Sequence, residues 1–80
     1  MKVTEAVRNR IIQLSGEKNI TINKWANLAG MPPSSMKGIL YGRSKNPTIR
    51  NIKILCDGIG ITLGEFFSTP EFDELEQEIK

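Results

Sequence analysis

Apolar residues fall along this chain in short stripes of helical period, separated by glycines, prolines and capping residues. Val3, Val7, Ile11 and Leu14 recur at spacings of four, four and three, with Arg8, Asn9, Arg10 and Gln13 between them. That periodicity gives one apolar face of a helix, which Gly16 is expected to end or fray. Thr21 then suits the N-cap of a short second helix through Ala29, and Gly30 supplies the positive-φ residue of a tight turn. A third helix is expected to begin at Pro32 or Pro33, because proline is preset to helical φ and tolerated in the first turn. It runs through Ser34, Ser35, Met36, Lys37, Gly38, Ile39 and Leu40, with Gly42 closing it.

The stretch Arg43-Ser44-Lys45-Asn46-Pro47 reads as a basic loop, after which Thr48 caps a fourth helix carrying Ile52, Leu55, Cys56 and Ile59. Gly58 and Gly60 are expected to end it. Thr62-Leu63-Gly64-Glu65 is a capping-box pattern that opens a short helix bearing Phe66 and Phe67. Thr69-Pro70-Glu71 repeats the start signal, and Phe72, Leu75 and Ile79 would line one face of a last, acidic helix. No stretch alternates as a half-buried strand would. The expected fold class is therefore all-α, a compact bundle of five short helices with a short acidic C-terminal helix as a sixth. Residues 1–69 are read as the folded domain and residues 70–80 as an acidic tail or helix, with Ser68-Thr69-Pro70 as the hinge.

Composition narrows what such a bundle does. Eighty residues with one cysteine and no histidine leave no disulfide framework and few ligands for a transition metal, so no metal and no cofactor are expected. The net charge of +2 hides an asymmetry. Residues 1–53 carry ten lysines and arginines against two acids, a balance of +8; residues 54–80 carry one against seven, a balance of −6. The split suggests a first part that faces a polyanion and a tail that faces solvent or a partner. Met1-Lys2-Val3-Thr4-Glu5 lacks the apolar stretch of a signal peptide and no run reaches membrane-spanning length, so a cytoplasmic location away from membranes is expected. No nucleophile has an evident base and no glycine loop suits a phosphate, so the chain does not read as an enzyme.

Residues 22–41 are the informative stretch. Two short helices joined by a tight turn cross steeply and need small residues where they approach, and Ala26 and Gly30 stand four apart at such places. Trp25, Ala29 and Met31 supply apolar contacts from the first of the two helices and the turn; Met36, Ile39 and Leu40 supply them from the second. Ser34, Ser35, Lys37, Gly38 and Tyr41 are left facing outward. This is the layout of a helix-turn-helix.

The span from Thr21 through Phe67 resembles the Cro/repressor (Xre-like) helix-turn-helix family of bacterial and phage transcriptional regulators. The residues that carry the likeness are Trp25-Ala26-Asn27-Leu28-Ala29-Gly30-Met31, Met36, Ile39, Tyr41-Gly42, Lys45-Asn46-Pro47-Thr48 and Gly60-Ile61-Thr62-Leu63 with Glu65-Phe66-Phe67. The resemblance implies a lambda-repressor-like DNA-binding domain that binds double-stranded DNA, commonly as a homodimer on inverted repeats, and acts on transcription as a repressor. By position it places Pro33, Ser34, Ser35, Lys37 and Gly38 toward the bases. It places Thr21, Ile22, Lys24, Arg43 and Lys45 toward phosphates, and the hydroxyl of Tyr41 either joins them or gives way to packing. Trp25 and Cys56 are expected to be core. Ile59, Ile61, Phe66 and Phe67 would either leave an apolar patch for a second copy or complete a monomer core.

The chain also departs from the family pattern. Ile22 stands where a polar residue, commonly glutamine, is frequent. Pro32 replaces the usual capping serine, and Pro33 and Gly38 remove two reading side chains. Direct readout is therefore expected to be thin, with a large share of binding from phosphates and DNA shape. The alternative is a protein-interaction or antitoxin-like module that retains the fold and acts through the acidic tail.

Overall fold

The computed structural model describes residues 2–41 and 47–77, and these form helices joined by short connections. In chain order they are α1 (Val3–Lys18), α2 (Ile22–Ala29), α3 (Pro33–Leu40), α4 (Ile49–Ile59), α5 (Leu63–Phe66) and α6 (Pro70–Asp73). No strand occurs among the described residues. The all-α expectation holds, with the sixth helix reduced to a single turn.

Three of the helices stop in the same way. Asn19, Gly30 and Gly60 each take a left-handed conformation, at φ 54°, 69° and 73°. The next residue then donates its backbone N–H to a carbonyl five positions back: Ile20 to Ser15, Met31 to Ala26 and Ile61 to Cys56, at 2.9–3.1 Å. These Schellman motifs satisfy carbonyls that a helix end leaves unpaired, and they turn the following apolar residue into the core. Met31 and Ile61 are buried by it. Asparagine does in α1 what glycine does in the other two, since its short polar side chain tolerates the left-handed region.

The helix starts at Thr21, Thr48 and Thr62 follow the capping expectations, whereas Thr69 precedes α6 without a side-chain cap hydrogen bond. The side-chain oxygens of Thr21, Thr48 and Thr62 accept from the backbone N–H groups of Lys24, Asn51 and Glu65 at 3.0, 3.1 and 3.0 Å. Thr62 and Glu65 complete the reciprocal capping box. Pro33 opens α3 with Pro32 at the N-cap, and no side chain caps that end.

One core joins the elements. Ala6, Val7, Ile11 and Leu14 of α1, Trp25 and Ala26 of α2, Met36, Ile39 and Leu40 of α3, and Ile52, Leu55 and Cys56 of α4 are buried together with Met31, Ile61 and Phe66. Trp25 is a core residue, as expected, and its Nε1–H donates 2.8 Å to the carbonyl of Leu55. Arg10 ties α1 to the far end of the chain, donating from Nε to the carbonyl of Phe66 and from a terminal nitrogen to that of Glu65, both at 2.8 Å. Phe66, Phe67 and Phe72 form an aromatic trio, with edge-to-face centroid distances of 4.9 Å for Phe66–Phe67 and Phe67–Phe72.

Several expectations are corrected. Gly16 does not end α1, which continues two residues further to Lys18 because Asn19 provides the left-handed stop. Gly58 lies inside α4, and a Cβ built on it would stand 2.9 Å from the Cα of Ala29. Its role is to let α2 and α4 touch backbone to backbone. Leu75 falls beyond α6, which ends at Asp73, so no extended acidic helix forms over the described residues. Of the four residues considered for a patch, Ile61 and Phe66 are buried, and Ile59 and Phe67 pack partly against the core. Gly42, Glu78 and Ile79 lie outside the described residues.

Candidate nucleic-acid interface

The α2–α3 unit is held from behind and open in front. Behind, Trp25 and Ala26 of α2 and Met36, Ile39 and Leu40 of α3 are fixed in the core. Between the helices, Gly30 turns the chain at positive φ and Met31 inserts as an apolar peg. A rigid back leaves the outer face of α3 with a fixed orientation, which recognition of a rigid partner requires.

On that outer face Ser34, Ser35 and Lys37 are exposed, while Pro33 and Gly38 are half-buried. Ser34, Lys37, Gly38 and Tyr41 stand at i, i+3, i+4 and i+7, and together they line one shallow hollow. The spacing is that of a single helical face. Gly38 leaves the middle of this face without a side chain, so a surface can approach the helix closely there. Tyr41 follows the last residue of α3 and is 73% exposed, so its ring is not core. The balance between packing and exposure resolves toward the surface.

At the start of α2, Thr21 and Lys24 are exposed, and the Thr21 hydroxyl is engaged as the N-cap. Ile22 is half-buried and packs against the core. Its side chain is thus committed inward, and what it offers outward is a backbone amide in the first turn, where helices leave N–H groups unpaired. Arg43 and Lys45 lie outside the described residues.

Sequence reasoning passed over α1, yet Arg8 lines a second hollow with Ile12, Leu40 and Tyr41. No local signal marks Arg8. Only the docking of α1 against the end of α3 brings it beside Tyr41, and that docking is a tertiary fact.

Cys56 is buried, and burial pushes its thiol above the ordinary value of 9.0, with Asp57 acting in the same direction. It is an inert core group. Among the described residues no set of three or more histidine, cysteine or acidic side chains is grouped to hold a metal ion. No described helix is long and apolar enough to cross a membrane.

A helix packed on the core, a left-handed glycine turn and a second helix with a polar outer face define the class: a helix-turn-helix DNA-binding domain. Residues 10–71 match the family model of the Cro/C1-type HTH DNA-binding domain, and the chain belongs to that family. It is similar to the prophage Lp1 protein 11, whose crystal structure superposes with a TM-score of 0.81 at 38% sequence identity. That match covers 94% of this chain and 100% of the other. No curated protein matches the chain.

Proposed function

We propose that this protein is a transcriptional regulator, acting as a repressor, that lays α3 in the major groove of double-stranded DNA. The observation that carries the reading is the single outward face of Ser34, Lys37, Gly38 and Tyr41 on a helix whose other side is locked into the core. Ser34, Ser35 and Lys37 supply the hydrogen-bonding groups toward base edges; Pro33 and Gly38 let the helix and its leading turn come close. Serine bonds several bases and lysine donates to guanine O6 and N7, so readout is sparse. Thr21, Ile22 through its amide, and Lys24 set the register on phosphates with Arg43, Lys45 and Tyr41. Two copies on an inverted repeat would present two α3 helices about 34 Å apart.

The interaction-module reading finds less support. Phe72, the first apolar residue of the tail, packs on Phe66 and Phe67 of the same chain and is not left for a partner.

The test is fluorescence anisotropy of a labelled duplex titrated with protein between about 50 and 200 mM salt, where phosphate-driven binding falls steeply. The reading expects affinity to drop by orders of magnitude over that range, with a two-to-one stoichiometry on a palindromic site. Absence of duplex binding at the low end contradicts it.

A further inference from the structure

Helix α1 carries two arginines in opposite situations. The Arg10 guanidinium is engaged within the fold, donating to the carbonyls of Phe66 and Glu65 and to the side-chain oxygen of Gln13. Arg8 differs. Its Nε is buried and has no hydrogen-bond acceptor among the described residues. The hollow it shares with Ile12, Leu40 and Tyr41 contains no carboxylate among its described lining. A guanidinium stays charged and carries its donors in a planar fork shaped for an oxyanion. A buried N–H with no acceptor among the described residues gains a hydrogen bond when an incoming oxyanion draws the fork into contact.

The place of this group decides which anion. Tyr41 borders both the Arg8 hollow and the hollow of Ser34, Lys37 and Gly38, so the two lie side by side, one on α3 and the other between α3 and α1. We propose that Arg8 binds a backbone phosphate of the duplex, next to the bases faced by α3, with Tyr41 as the shared wall between base-facing and phosphate-facing parts. The proposal rests on the DNA-binding function above. It extends the contacted surface to a helix outside the helix-turn-helix, and it adds a charge-assisted anchor to a readout helix with few side chains of its own.

The experiment compares wild type with R8Q on a duplex carrying the preferred site. R8Q lowers affinity about five- to tenfold at about 0.1 M salt and makes the salt slope shallower by about one, while the ranking of sequences is unchanged. A scan with single methylphosphonates locates the contact: neutralising one phosphate weakens wild type and leaves R8Q unaffected. Circular dichroism checks the fold, and R8M carries the same expectation should R8Q not fold. Unchanged affinity and slope in the folded variant overturn the Arg8 assignment alone. Unchanged duplex binding by R8Q, with loss of capture of an acidic peptide, assigns the hollow to a protein carboxylate and overturns it too. No salt-dependent duplex binding by wild type overturns both this assignment and the function on which it rests.

Discussion

A Cβ on Gly58 would stand 2.9 Å from both the Cα and the Cβ of Ala29, so α2 and α4 meet where one of them has no side chain. This contact sets the depth at which the first helix of the DNA-binding unit sits on its scaffold. Gly58→Ala must push the helices apart, and overpacking of this kind costs about 1–3 kcal/mol. Gly16, also helical, has open space around its Cβ position and is exposed. Gly16→Ala is therefore expected to stabilise by about 0.5–1 kcal/mol through helix propensity. Urea unfolding of the two variants should give shifts of opposite sign.

Arg10→Met removes the two hydrogen bonds that fasten α5 to α1, together with one to Gln13 within α1, and leaves the carbonyls of Phe66 and Glu65 without that donor. The expected loss of stability is about 1–3 kcal/mol. The salt slope of DNA binding should not change in protein that remains folded, because Arg10 faces the fold. Thermal melting and a salt titration of the same sample check both halves.

The Cys56 thiol is raised above its ordinary 9.0 chiefly by burial. The folded state thus favours the protonated thiol, and the unfolded chain loses its proton first as pH rises. This contribution to stability is fully present below the ordinary thiol value and declines as pH climbs above it. Unfolding curves of wild type at about pH 8 and pH 10 should show the decline, and Cys56→Ala should flatten it. Thiol reagents should modify the native protein only as fast as it opens.

Lys37 and Lys24 should separate reading from anchoring. If Lys37 donates to a guanine, Lys37→Ala relaxes preference at one base pair at a cost of about 1–3 kcal/mol. Lys24→Ala, by contrast, weakens binding to every sequence and lowers the salt slope by about one. Site selection from a random pool, run in parallel with a salt titration, distinguishes the two.

Much of the fold was legible because the signals were local. Thr21, Thr48 and Thr62 announce helix starts through their own side chains, and Gly30 and Gly60 announce stops through backbone freedom. The misreadings arose where local and tertiary preference part. Gly16 looks like a terminator, yet Asn19 two residues past a good helix former provides the stop. Gly58 looks like a breaker, yet packing against Ala29 keeps it helical. The tail has a helical period at Phe72, Leu75 and Ile79, but among the described residues the helix ends one turn in, with Phe72 packed on Phe66 and Phe67. The outward face of α3 was legible from spacing alone. Arg8 was not, because its neighbour Tyr41 becomes a neighbour only once α1 has docked.

The most direct test is an amide chemical-shift map of the labelled protein on addition of a specific duplex. The account predicts that shifts concentrate on Thr21, Ile22, Lys24, Ser34, Ser35, Lys37, Gly38 and Tyr41, with the side chain of Arg8 responding in the same titration. The aromatic trio of Phe66, Phe67 and Phe72 should stay unmoved. Shifts centred on α5 and α6, with α3 silent, would contradict it.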